Sequence, residues 1–181
     1  MAKEKGLTIP IVYNTNAYDN IEKLKTLQGL IDIYLPDFKY SNNLIAEKYS
    51  KIKNYKETAT QCILEMVSQQ PQNIIHEGIM QKGLIVRHLI LPSNIQNTKD
   101  CIKMIHSFSG SIILSLMTQY NPMYNVINFP EINRAINISE YKEIMNYLTT
   151  FDFEEIFYQP LDANAKDNFN PDFTKANPFN S

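Results

Sequence analysis

The chain has 181 residues, of which 44% are hydrophobic and 20% charged, enough apolar material for one domain with a substantial core. A formal net charge of -2 and no dense run of Lys or Arg argue against nucleic acid and anionic membrane as partners. The first apolar run spans six residues, too short for the core of a secretory signal, and no later stretch is long enough to cross a bilayer, so the expected compartment is the cytoplasm.

In chain order, "IPIVYN" (9–14) reads as a strand buried on both faces. "YDNIEKLKTLQGL" then sets Ile21, Leu24 and Leu27 or Gln28 at helical spacing, with Asp19 as N-cap and Gly29 as the stop. "IDIYLP" (31–36) is a second strand. "SNNLIAEKYSKI" and "YKETATQCILEMVSQ" are helical, the latter with Ala59, Cys62, Ile63 and Met66 on one face. Pro71, Gly78 and Gly83 break the pattern in "QQPQNIIHEGIMQKG", which reads as a loop or small hairpin. "LIVRHLILP" (84–92) is the strongest strand, "NTKDCIKMIHSF" a helix capped by Asn97 or Thr98, and "SIILSLMTQY" (111–120) a fourth strand. A polar, proline-bearing connection leads to Ser139, the expected cap of a helix whose buried stripe is Tyr141, Ile144, Met145 and Leu148. "IFYQP" (156–160) is a short fifth strand. Residues 161–181, polar and rich in Asn and Pro, read as an extended or disordered tail behind a domain spanning 1–160.

Near-continuous apolar strands separated by amphipathic helices imply an α/β fold: a parallel sheet with covering helices, because a strand buried on both faces has no reason to alternate. Periodicity does not distinguish an open sheet from a partial barrel. GxGxxG, P-loop and GxSxG motifs are absent, which removes the signatures of the common nucleotide-binding and hydrolase versions. Cys62 and Cys101 fall at apolar helix positions, where inert core thiols belong, and no CxxC accompanies them. His76 and His106 have no metal-ligand spacing to each other or to the cysteines.

Ligands of parallel α/β folds bind at the carboxyl ends of the strands, and here polar residues collect at four such ends. The first strand runs into Asn14, Thr15 and Asn16; turn chemistry and ligand contact account for them equally well. Asp37 and Lys39 follow the second strand, and by themselves read as a surface ion pair. Arg87 stands inside an apolar strand and so must face an anion, a carboxylate or water. His88 points to the opposite face, as a satisfied structural histidine. The fourth strand ends in Thr118, Gln119 and Tyr120, with Tyr120 and Tyr124 placed for rim packing or for stacking on a flat ring. Together, cationic Lys39 and Arg87, anionic Asp37 and the nearby amides suit a zwitterionic ligand that carries a carboxylate. An unrelated barrel enzyme using Lys39 as acid, base or Schiff-base amine is a weaker alternative, since no phosphate loop accompanies the lysine.

"IPIVYNTNAYDNIEKLKTLQGLIDIYLPDFKYSNN", "GLIVRHLILP", "LMTQYNPMY" and "FPEINRAI" resemble, in that order, the carboxyl-terminal part of radical S-adenosylmethionine proteins related to the pyruvate formate-lyase activating enzyme, in particular the PflX-like branch. The resemblance spans residues 6 to about 160. It implies an incomplete, TIM-like α/β barrel and an activity in which S-adenosylmethionine is cleaved reductively to a 5'-deoxyadenosyl radical beside a 4Fe-4S cluster. It places Asp37, Lys39, Arg87 and Leu89 by the cofactor, with Asn14 and Thr15 at the first corner and Gln119 and Tyr120 at the last strand. Asn14 stands where the family has an Asp that helps hold a cation, so no metal ligand is assigned.

The family binds its cluster through CxxxCxxC, a motif this sequence lacks. The expectation is therefore a barrel truncated on its amino-terminal side and inactive alone. Its partners would be a separate half carrying the cluster and an unknown protein or small-molecule substrate. A non-catalytic binding module that holds S-adenosylmethionine weakly or not at all is the alternative.

Overall fold

A computed structural model describes residues 3–108 and 110–161. Strand β1 (Val12–Thr15) is followed by the short helix α1 (Ile21–Lys25), and β2 (Ile33–Pro36) by α2 (Asn43–Ser50) and α3 (Tyr55–Gln69). A hairpin joins β3 (Ile74–His76) to the long β4 (Ile79–Leu89). Then come α4 (Ile95–Ser107), β5 (Ile113–Met117), two 3-10 turns at Tyr124–Asn128 and Pro130–Ile132, α5 (Ile138–Leu148) and β6 (Glu155–Tyr158).

The sheet runs in the order β1-β2-β4-β5-β6, every neighbouring pair parallel, with β3 antiparallel on β4. This is the α/β class expected from the pattern. The order never reverses, so right-handed crossovers carry every covering helix to the same face. On that face lie Tyr34, Leu84, Val86, His88 and Leu114, none of them exposed. They pack into one core with Ile63 and Met66 of α3, Ile102 and Ile105 of α4, and Ile144 of α5. Each large apolar side chain so buried contributes about 1.5–3 kcal/mol. The opposite face carries Ile33, Leu35, Ile85, Arg87, Leu89, Ser115 and Met117. There the edge strands remain open, Val12 at 51% and Phe157 at 44% exposure.

Several local devices differ from the sequence expectations. Asn20, not Asp19, caps α1 by accepting from Lys23 N. Helix α4 starts at Ile95 behind Asn94, which leaves Asn97 and Thr98 buried within it. Asn137, not Ser139, caps α5, in a reciprocal box with Glu140. In each case several Asn, Asp, Ser or Thr residues stand near the helix start, and the path of the chain into the helix selects one.

The segment with Pro71, Gly78 and Gly83 forms the β3–β4 hairpin, so β4 begins at Ile79 rather than near 84. Gly83 is where β4 passes from the hairpin to its parallel pairing with β2. It sits at φ +137, and a Cβ there would run into the Asn73 side-chain oxygen. Any other residue is strained at that φ and must also displace Asn73. The tail expected from 161 onward lies outside the described residues apart from Leu161, which packs partly buried against the core. Among the described residues no helix is long and apolar enough to cross a membrane.

Candidate functional site at the strand ends

Asp37 leaves β2 still in register with the sheet: its N–H donates to Thr15 O, it bridges to Arg87, and Phe38 N–H donates to Arg87 O. Parallel partners point to the same side. Asp37 and Arg87 therefore meet on the face opposite the helices. Arg87 Nε donates to Asp37 Oδ1 at 2.7 Å and Nη2 lies 2.6 Å from the same oxygen. Nη2 also donates to Asn14 Oδ1 at 2.6 Å, across from β1. The second oxygen of Asp37 faces Lys39 Nζ at 3.3 Å. One carboxylate is thus shared by two cations, with Asp37 and Arg87 at 18% and 23% side-chain exposure and Lys39 at 40%.

That count decides what the site can do. A single Asp–Arg pair would be electrically closed, whereas a second cation leaves one positive charge over. Lys39, the most exposed of the three, is free to turn toward an anion that enters from solvent. A carboxylate ligand would find a flexible ammonium and a fixed guanidinium within one row of the sheet.

The remaining predicted residues fall on both sides of this row. Leu89 lies two positions beyond Arg87 on the same face, paired with Met117. Thr15 does not join it, because its hydroxyl donates to Asp19 Oδ2 at 2.6 Å and accepts from Ala17 N. Asn16 accepts from Tyr18 N in an Asx turn. Asn14 alone of the first corner reaches Arg87. At the end of β5, Gln119 Oε1 and Tyr120 Oη are buried atoms with no hydrogen-bond partner among the described residues. Burial raises the Tyr120 phenol above its ordinary pKa, with neighbouring Tyr40 and Tyr49 adding to the effect.

His88 faces the helices, as expected, and is fully buried. Its Nδ1 lies 2.7 Å from Phe38 O, which can only accept, so Nδ1 carries the proton; Nε2 then accepts from Thr98 Oγ1 at 3.0 Å. Burial lowers its pKa to about 4, and the ring is neutral near pH 7. Two residues that sequence reasoning missed, Tyr55 and Asn97, also reach this segment. Their signal was a polar tip on the buried stripe of a helix, which requires a partner.

A cluster does not fit these residues. Cys62 and Cys101 are buried free thiols on α3 and α4, and burial pushes both above the ordinary thiol pKa, Cys101 most strongly. Among the described residues no group of three or more His, Cys, Asp or Glu is arranged to hold a metal ion. His106 instead pairs with Asp152 at 2.7 Å, and His76 lies on the exposed hairpin.

No family model matches the chain. It is 29% identical over 150 residues to an uncharacterized protein of Methanocaldococcus jannaschii, a match covering 82% of this chain. The chain spans 40% of the length of that relative. Its fold is similar to the crystal structure of a domain of pyruvate-formate lyase-activating enzyme from Bacteroides vulgatus, with a TM-score of 0.60 and 11% identity over 87% of this chain and 84% of that one. The likeness establishes a shared architecture of parallel strands and covering helices.

Proposed function

We propose that the strand ends of this sheet bind S-adenosylmethionine through its methionine carboxylate, and that the chain is the carboxyl-terminal part of a radical S-adenosylmethionine fold. One observation carries this reading: Asp37 is shared by Lys39 and Arg87 at the carboxyl ends of neighbouring parallel strands, leaving this three-residue cluster with a net positive charge. The motif resemblance and the shared architecture support it. Lys39 and Arg87 would hold the carboxylate, Asn14 would steady Arg87, and Gln119 and Tyr120 would offer polar groups from the neighbouring strand. The family's reductive cleavage needs a cluster that these residues do not supply, so no step of it is assigned to this chain.

The cluster would come from a second polypeptide segment added at β1. Among the described residues that strand pairs on one side only, and Val12 within it and Leu7 and Ile9 before it stand exposed. An open parallel edge with apolar side chains favours association. A stable monomer in sedimentation velocity at high concentration would count against the added segment.

Calorimetry on the full chain tests the ligand. S-adenosylmethionine is expected to bind, 5'-methylthioadenosine, which lacks the carboxylate, to bind more weakly, and Lys39→Ala to lose about tenfold or more in affinity. No heat with S-adenosylmethionine at millimolar concentration and a well-folded chain would overturn the reading.

A further inference from the structure

Residues 37 to 41 leave the sheet, and their backbone groups lose the ladder partners a strand provides. Buried groups of this kind must be paired elsewhere. Apart from the Asp37 N–H on Thr15 O and the Phe38 N–H on Arg87 O, the pairing is done by side chains. Asp37 O accepts from Tyr55 Oη at 3.0 Å, Phe38 O from His88 Nδ1 at 2.7 Å, and Lys39 O from Asn97 Nδ2 at 3.0 Å. Lys39 N–H donates to Tyr55 Oη at 2.8 Å, and Ser41 N–H to Asn97 Oδ1 at 2.8 Å. The three side chains come from α3, β4 and α4, and each is at most 2% exposed.

We infer that Tyr55, His88 and Asn97 are positioning residues for the strand-end site, gripping the backbone of residues 37–41 so that the Asp37 carboxylate and the Lys39 ammonium are presented in a fixed place. Lys39 shows the design most plainly: its side chain is 40% exposed while its amide N–H and its carbonyl are each held by a different buried side chain. A flexible lysine gains specificity when its Cα is fixed, since only the side-chain torsions remain to be ordered on binding. Tyr55 is well suited to this task. Its ring is held by Tyr40 at 5.3 Å and 76° and by Tyr18 at 6.2 Å and 12°. Its hydroxyl accepts from one site residue and donates to another, with Asn16 O from the first corner 3.3 Å away.

The clamp is independent of any ligand, whereas its consequence for affinity rests on the S-adenosylmethionine reading. Amide hydrogen exchange by NMR on the full chain separates the two. In Tyr55→Phe, which keeps the ring, the Lys39 amide is expected to exchange about tenfold faster, the equivalent of one lost hydrogen bond, with the Val86 and Leu114 amides unchanged. Asn97→Ser is expected to do the same at Ser41. Unchanged exchange at Lys39 and Ser41, or an equal rise throughout the sheet, would overturn the clamp.

Titration with S-adenosylmethionine then reads the coupling. Tyr55→Phe should weaken binding in the wild-type background and have little further effect on Lys39→Ala. Equal losses in both backgrounds would show that Tyr55 does not act through Lys39. If the wild type binds no S-adenosylmethionine, the functional reading fails and the exchange data still decide the clamp.

Discussion

Between about pH 6.5 and pH 4, acid is expected to destabilise this protein through one buried residue. His88 is fully enclosed, gives its Nδ1 proton to Phe38 O and accepts at Nε2 from Thr98, and its pKa falls from 6.5 to about 4 chiefly through burial. In the unfolded chain the ring takes up a proton near pH 6.5, while in the native state it stays neutral until about pH 4. Across that interval the unfolded state binds more protons, so stability rises with pH and is lost as pH falls. The full effect is about 3 kcal/mol, a sizeable share of the stability of a domain this size.

Urea unfolding at a series of pH values, on the wild type and on His88→Asn, measures it. The variant is expected to be less stable near neutrality and to lose most of the slope between pH 6.5 and 4.5. Parallel slopes for the two proteins, or an imidazole resonance of His88 titrating near 6.5 in the folded state, would refute the reasoning. The 15N shifts of the ring also check the tautomer, with Nδ1 protonated and Nε2 bare.

Three further outcomes are expected. Arg87→Leu leaves Asp37 with Lys39 alone and strips Asn14 Oδ1 of its donor; it should cost about 1–3 kcal/mol in urea unfolding, and Arg87→Lys should not restore the loss, because an ammonium lacks the fork that reaches both partners. Glu140 accepts from Arg134, Ser93 N and Asn137 N, chiefly the Arg134 contact bringing its pKa to about 2. Its contribution is complete above pH 4.5 and lost as pH falls through 2, a window below that of His88, and Glu140→Gln should cost about 1–2 kcal/mol near neutrality with no acid-dependent remainder. Gly83→Ala combines the φ of +137 with a clash against Asn73, so a thermal melt should show a loss of about 1–3 kcal/mol that Asn73→Ala does not fully restore, since the backbone strain remains; an unchanged midpoint would contradict the account.

Much of the site was legible one residue at a time. Alternation along "LIVRHLIL" placed Arg87 and His88 on opposite faces, and a guanidinium in an apolar strand called for an anion, a carboxylate or water, of which the structure supplies the Asp37 carboxylate. The end of an apolar run marked Asp37 and Lys39 as strand-end residues before any partner was known. Tyr55 was less legible, because a tyrosine at the start of an amphipathic helix looks the same whether its hydroxyl meets water or a backbone amide. Asn97 read as a helix cap for a similar reason, since the residues around the start of α4 offer several polar candidates and only the path of the chain after Leu91 selects Asn94. Thr15, a strand-end candidate by position, spends its hydroxyl on Asp19 four residues ahead, a local contact that competes with any ligand role.

By itself the sequence determined the succession of strands and helices, the α/β class and the polar character of the strand ends, because periods of 2 and 3.6 and the turn residues between them are local properties of the chain. Only the tertiary structure decided the unbroken strand order, the sharing of one carboxylate by two cations, the His88 tautomer and the grip on residues 37–41. Arg87 meets Asp37 across 50 positions and Asn14 across 73. Contacts of that span depend on which strands lie side by side and in what register, and no periodicity within one segment carries that information.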